Sequence, residues 1–149
     1  MVVGEVTKFE RFFRAAAGLD VDKQDLKRYY DFLNQKVYDL LIIAQAAAKA
    51  NRRDVLEPYD LPVTKGLQEI MYVFRDLDQE IEVAPVLDRL TARPPLDVTL
   101  SEETQERLPL VVGGLSMALA RAFKIIDPET KNPQTRDWER VQQLFELLL

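Results

Sequence analysis

Carboxylate side chains are densest between residues 76 and 82, where a divalent cation could be held. The acids of this segment are Asp76, Asp78, Glu80 and Glu82. Mg²⁺ and Ca²⁺ are bound by such oxygen ligands, but calcium loops also need a glycine turn and a bidentate Glu at fixed spacing. Neither accompanies this segment. We therefore predict no metal site and no cofactor.

Nucleophiles and proton shuttles are scarce in this chain. There is no cysteine and no histidine, which removes thiolate chemistry, disulfides and the usual imidazole base. The serines are Ser101 and Ser116, and neither lies in a Gly-x-Ser-x-Gly motif or has a histidine to activate it. The sequence predicts that the protein is not an enzyme.

Composition predicts a soluble, single compact domain. Of 149 residues, 47% are hydrophobic and 30% charged, which is enough to bury one substantial core. Apolar runs such as Leu108 to Leu115 are shorter than the roughly 20 residues of a membrane span, and Met1–Val6 carries no signal-peptide pattern. We expect a cytoplasmic protein that does not bind a membrane. Few Asn, no Cys and abundant charge are typical of thermophilic proteins.

The net charge limits possible partners. The formal net charge is −5 and the pI is about 4.9, so the global field repels polyanions. Any contact with nucleic acid must therefore come from a local cluster of basic side chains.

Helical periodicity divides the first half of the chain into a short, a long and a short helix. The first helix has the apolar face Phe9, Phe12, Phe13 and Ala16. Thr7 is expected to cap it and Gly18 to end it. Asp22 should cap a second helix from Lys23 to about Asn51, on the order of 40 Å long at 1.5 Å per residue. A third helix is expected to open at Pro62.

The second half repeats this plan after the acidic segment. A short helix carries Val83, Val86, Leu87 and Leu90 and ends at Pro94 and Pro95. Thr99, with Glu102 three residues later, is expected to cap a second long helix, and Thr135 to cap the last helix. The alternating segment from Leu96 to Leu100 could form bridges between loops.

These patterns predict an all-α fold with two tandem halves, residues 1–78 and 79–149. Each half alone would expose apolar surface on both sides of its long helix, so the halves should pair. Gly113 and Gly114 lie inside the second long helix, where each costs about 1 kcal/mol relative to Ala. Two explanations stay open: close backbone approach where the two long helices cross, or a kink together with Pro109.

The order short, long, short resembles the histone fold, and one spacing strengthens the resemblance. Core histones have an Arg in the second loop followed seven residues later by an Asp that opens the third helix; here Arg53 and Asp60 hold that spacing. In the second half Asp137 opens the last helix, but Thr130 stands where the Arg would be. Taken whole, the chain is similar to the bacterial family of double histone-fold proteins, in which one chain forms the handshake pseudodimer.

This resemblance implies a structural role for Arg53 and Asp60 and a crossing of the two long helices at their centres. The Arg53–Asp60 pair would clamp the loop to the start of the third helix. At the crossing, Tyr38 to Leu41 would lie against Gly113 and Gly114. Because the pairing surface lies within one chain, we expect a monomer.

The resemblance also implies DNA-binding residues, because paired histone folds hold phosphates where the first loop of one fold meets the second loop of the other. One such pair would gather Lys23, Lys27, Arg28, Lys124 and Lys131. The other would gather Lys49, Arg52, Arg53, Arg89 and Arg93. Acids in the same loops oppose this role, and solvated surface charge is the alternative explanation for any one of these cations. The two functional hypotheses are therefore a sequence-tolerant DNA-binding protein located in the nucleoid and a protein-interaction module.

Overall fold

In the computed structural model, residues 3–86 and 95–149 are described, and they form an all-α protein. Its helices are α1 (Val3–Ala17), α2 (Lys23–Ala50), α3 (Lys65–Ile81), α4 (Glu102–Ile126) and α5 (Thr135–Leu148). Two short strands, β1 (Val55–Leu56) and β2 (Thr99–Leu100), and a 3₁₀ turn at Pro58–Asp60 lie in the loops. Residues 84–86 are also helical. The predicted residues Leu87, Leu90, Arg89, Arg93 and Pro94 lie outside the described residues.

The long helix α2 has the bounds that the sequence predicts. Asp22 caps its first turn by accepting from the Asp25 N–H at 2.8 Å, and the Asp25 carboxylate accepts from the Asp22 N–H at 3.0 Å. Before it, α1 ends at Gly18, whose φ is +63°. The Gly18 N–H donates to the Arg14 carbonyl, and the Leu19 N–H donates to the Phe13 carbonyl. This arrangement is a glycine-terminated helix end, so the predicted end of α1 is confirmed.

Other predicted helix starts are wrong by one to five residues. Thr7 lies inside α1 and does not cap it. α3 begins after Thr64, whose hydroxyl accepts from the Leu67 N–H at 3.1 Å, and not at Pro62. α4 is capped by Ser101 rather than Thr99, which lies in β2, and α5 by Gln134 rather than Thr135. Several candidate caps lie side by side in each loop, and periodicity does not choose among them.

Helix α3 continues past Asp78, the residue after which the sequence analysis divides the chain. α3 runs through the acidic segment to Ile81, and the chain turns at Glu82, which has φ +59°. Division after Asp78 would cut this helix. The carboxylate of Asp78 instead accepts from the N–H groups of Val83 and Ala84 at 2.6 and 3.3 Å, so it holds the turn that follows.

Loops from the two halves pair at both ends of the fold. β1 and β2 form a parallel pair with Val55 opposite Thr99, as the alternation at Leu96 to Leu100 suggested. At the other end, the Asp20 N–H donates to the Lys131 carbonyl at 2.7 Å. The halves are thus joined by backbone hydrogen bonds as well as by the core.

The core is centred on α4. Its residues 111–117 are all buried, which means that the helix is covered on every side. α4 is apolar and long enough to span a membrane, but 61% of its apolar window is buried within the fold. That is the pattern of a core helix and not of a helix that faces lipid. In this core, the hydroxyl oxygens of Tyr29 in α2 and Ser116 in α4 lie 2.6 Å apart.

The glycine pair of α4 lies where α3 packs against this helix. α3 packs more extensively against α4 than any other helix does among the described residues. A Cβ at Gly113 would overlap the Phe74 ring, and one at Gly114 would lie 2.5 Å from the Met71 Cγ. Close approach therefore explains the glycines, and the atoms nearest to them belong to α3 and not to the other long helix. The expected crossing of Tyr38 to Leu41 at this point stays a prediction.

Replacing Gly113 by Ala should destabilise the protein by up to about 2 kcal/mol, since overpacking at Phe74 costs about 1–3 kcal/mol and helix propensity returns about 1 kcal/mol. Gly66 is the matched control, because a Cβ there meets nothing within 4 Å. Gly66→Ala should be neutral or slightly stabilising. Urea unfolding of both variants tests this, and equal behaviour of the two would rule out the packing explanation.

Candidate nucleic-acid interface

The first loop pair consists of residues 18–22, between α1 and α2, and residues 127–134, between α4 and α5. Besides the backbone bond from Asp20 to Lys131, Arg28 Nη2 donates to the Thr135 hydroxyl at 2.7 Å. The buried indole of Trp138 donates to Asp25 Oδ1 at 2.8 Å. The starts of α2 and α5 are therefore held side by side, and basic residues on both elements lie at one end of the molecule.

The first loop pair presents three cations to solvent. Lys23, Lys27 and Lys131 are exposed and have no ion pair in the described structure. The other two predicted residues are engaged within the protein. Lys124 Nζ donates to the Thr130 carbonyl, and Arg28 is held by Thr135.

The second loop pair consists of residues 51–64, between α2 and α3, and residues 95–101, which precede α4. Lys49 Nζ pairs with Asp97 Oδ2 at 2.8 Å, and this contact holds the pKa of Asp97 below its usual range. Arg52 is exposed and has φ +58°. Arg53 forms an ion pair with Asp60 in the same loop. In the described part of this pair, Arg52 is the candidate cation that no ion pair engages.

The Arg53–Asp60 pair is a two-point contact. Arg53 Nη1 donates to Asp60 Oδ2 at 2.7 Å, and Nη2 donates to Oδ1 at 2.8 Å. Oδ2 also accepts from the Glu57 N–H at 2.8 Å, and the guanidinium lies 5.0 Å from the Tyr59 ring centroid. Parallel bonds of this kind fix the geometry of both groups. The pair therefore clamps the 3₁₀ turn that ends at Asp60, five residues before α3 begins, and not the start of α3.

The Asp60 carboxylate is stabilised in its charged form. Asp60 has only 3% of its side chain exposed, yet its pKa is lowered, first because Arg53 donates to it and then because Glu57 does. The same contact raises the pKa of Arg53. Because the guanidinium is committed to this buried carboxylate, Arg53 is a structural residue and a poor phosphate ligand.

The remaining chemical candidates serve structural roles. Burial raises the pKa of Asp78, whose oxygens accept from the turn after α3. No group of three or more Asp or Glu in the described ranges is arranged to hold a metal ion. Ser101 caps α4, and Ser116 is buried, where it donates to the Val112 carbonyl at 2.8 Å.

Lys36 is a buried lysine that the sequence analysis does not single out. Lys36 has 3% of its side chain exposed, and it pairs with Asp39 at 3.3 Å and with Glu146 of α5. The available signal was positional, because Lys36 falls three residues after Leu33 and four before Leu40 on the apolar stripe of α2. A lysine there must be buried with a partner, but Glu146 is distant in sequence.

The chain matches the model of a bacterial protein family, a domain of unknown function (DUF1931), over residues 9–146. A protein from Thermus thermophilus of known crystal structure is 53% identical, with a TM-score of 0.86 and 97% of each chain covered. A protein from Aquifex aeolicus of known crystal structure is 22% identical, with a TM-score of 0.85 and 97% and 95% of the two chains covered, which shows the fold alone. An uncharacterised Aquifex aeolicus protein is 24% identical over 93% of this chain and 81% of its own length.

Arg53→Ala should destabilise the protein at neutral pH, because it leaves a buried carboxylate without its partner. The folded-state pKa of Asp60 lies below its ordinary value of about 3.9. The clamp therefore contributes stability above that value and loses it as pH falls through the folded-state pKa. Urea unfolding should show a wide gap between wild type and Arg53→Ala at neutral pH, and the gap should narrow as the pH falls through the folded-state pKa of Asp60.

The control is Lys65→Ala, which breaks an exposed pair with Glu69 and should change little at either pH. A gap for Arg53→Ala that stays the same over the whole pH range would contradict the clamp.

Proposed function

We propose, for a chain that belongs to the DUF1931 family, that two tandem histone folds pair within one polypeptide and that the first loop pair binds the DNA phosphate backbone. The observation that carries this proposal is the contact between the loop at residues 18–22 and the loop at residues 127–134. It places cations from the start of α2 and from the loop before α5 at one end of the molecule.

The histone-fold assignment rests on helix order and loop pairing. α1, α2 and α3 follow the order short, long, short, and α4 and α5 follow as long and short. The first loop of each half lies beside the second loop of the other, through the Asp20–Lys131 bond and the β1–β2 pair. The bidentate contact between Arg53 and Asp60 keeps the second loop of the first half in place.

The mode of DNA binding follows from the kind of side chains available. Lys23, Lys27 and Lys131 are flexible point charges, which suit phosphate contacts and not recognition of base edges. Asp20 and Asp22 lie among them and reduce the local potential. Binding should therefore be weak, sequence-tolerant and strongly dependent on salt.

A protein-interaction module is the second candidate function. It is favoured by the internal use of four of the predicted DNA-binding residues: Arg28, Lys49, Arg53 and Lys124. An acidic protein whose loop cations are committed to its own structure is poorly suited to a polyanion. A salt titration with DNA separates the two candidates.

The test replaces Lys23, Lys27 and Lys131 together by Ala. Binding to a short duplex at low salt should weaken, and the slope of log K against log salt should fall by up to about 0.9 for each phosphate that is no longer neutralised. The control replaces Lys65, Arg75 and Arg140 by Ala, which removes the same charge outside the loop pairs. Fluorescence anisotropy of labelled duplexes with unrelated sequences measures both.

DNA binding at the first loop pair is overturned if wild type forms no complex at low salt. It is also overturned if the two triple variants weaken binding equally. The first result favours the interaction module, and the second assigns DNA binding to a surface other than the first loop pair.

A further inference from the structure

A groove of about 660 Å³ runs between α2 and α5. It begins at Asp31, the ninth residue of α2, and at Glu139, the fifth residue of α5. Its lining includes Asp31, Phe32, Lys36, Glu139, Glu146 and Leu147. Neither of the functions proposed above assigns a role to this surface. Two long helix faces border it, so it has the shape of a trough and not of a closed cavity.

The charge of the groove is negative although a lysine lies in it. Lys36 is buried and already neutralised by Asp39 and Glu146. Asp31 and Glu139 are exposed at the rim, on opposite sides of the groove, and no ion pair in the described part of the chain engages them. Two carboxylates are thus available to a cationic partner.

The groove also offers apolar surface. Phe32 lies at the base of the lining, where it is 3% exposed and packs edge-to-face on Phe145, with ring centroids 4.9 Å apart. Leu147 has 83% of its surface exposed. An isolated exposed leucine is ordinary, but this one stands at the edge of a groove with an aromatic residue in its lining. It is the apolar contact point that a partner would cover.

We propose that this groove binds a basic amphipathic helix of another protein. Apolar residues of that helix would cover Leu147, and its Lys or Arg side chains would pair with Asp31 and Glu139. This is the recognition mode in which a helix lays its apolar face into a groove. Glutamines 35, 142 and 143 in the same lining supply neutral hydrogen-bonding groups along the rim.

The charges favour this occupant over the others. DNA is repelled by the rim carboxylates. A second copy of this chain carries a net charge of −5, so docking it here would bring two acidic molecules together. A basic partner gains from both the local groove and the global field, which raises its rate of association at low salt.

The test uses a synthetic helical peptide with leucines on one face and lysines on the other, and a matched peptide with glutamate in place of lysine. The full chain should bind the lysine peptide and not the glutamate peptide. Leu147→Asp should weaken binding by about tenfold, since it replaces the exposed apolar contact by a charge. Glu139→Lys should weaken it by about fivefold by reversing one rim charge.

Each variant has a matched control on α4. Ile125, 79% exposed, is the second-to-last residue of α4 as Leu147 is of α5, so Ile125→Asp matches Leu147→Asp. Glu106 is the fifth residue of α4 as Glu139 is of α5, so Glu106→Lys matches Glu139→Lys. Both controls should stay within about twofold of wild type. Circular dichroism and the urea midpoint establish that all four variants fold.

Three outcomes would overturn the proposal: equal binding of the two peptides, equal effects of the groove variants and their controls, or a wild-type dimer that Leu147→Asp dissociates in sedimentation. The last would assign the surface to a second copy. No DNA is present in these measurements, so their failure leaves the proposal for the first loop pair standing.

Discussion

The enclosure of α4 is the constraint on which the rest of the structure depends. A helix that is buried on every side over residues 111–117 must be surrounded by other helices before the chain is stable. α1, α2, α3 and α5 all pack against it. This enclosure explains the two glycines, because a Cβ at either position would overlap side chains of α3 that pack against α4. The buried hydroxyls of Tyr29 and Ser116 follow too, since Tyr29 can donate to Ser116 and Ser116 donates to the Val112 carbonyl.

Enclosure of α4 also brings chemistry-bearing residues together at the ends of the fold. Loops that are distant in sequence meet there, and the residues that join them are mostly charged or polar. Lys49 pairs with Asp97, Arg28 with Thr135, and the Trp138 indole with Asp25. Several side chains that appear from the sequence to be available for a ligand instead form hydrogen bonds or ion pairs that hold the loops. What remains free is a smaller set, concentrated at the first loop pair.

The fold was more predictable from the sequence than the site, for a physical reason. Helix identity depends on local periodicity and on nearby caps, so α2 was predicted from Asp22 to Asn51. Helix starts failed where a loop offers several caps, as at Thr99 and Ser101. The state of a cation depends on partners far along the chain. Nothing near Lys49 in sequence reveals Asp97, and nothing near Lys36 reveals Glu146.

The two proposed surfaces share α2 and are electrostatically linked. Lys27 and Asp31 are four residues apart, a rise of about 6 Å along the helix, which is within the Debye length of about 8 Å at physiological salt. The groove carboxylates therefore lower the potential that the first loop pair presents to phosphate. A basic helix seated in the groove would neutralise them and so strengthen DNA binding, and by linkage DNA would strengthen peptide binding by the same factor. The opposed charges on α2, which weaken each function when it is considered alone, would then couple the two.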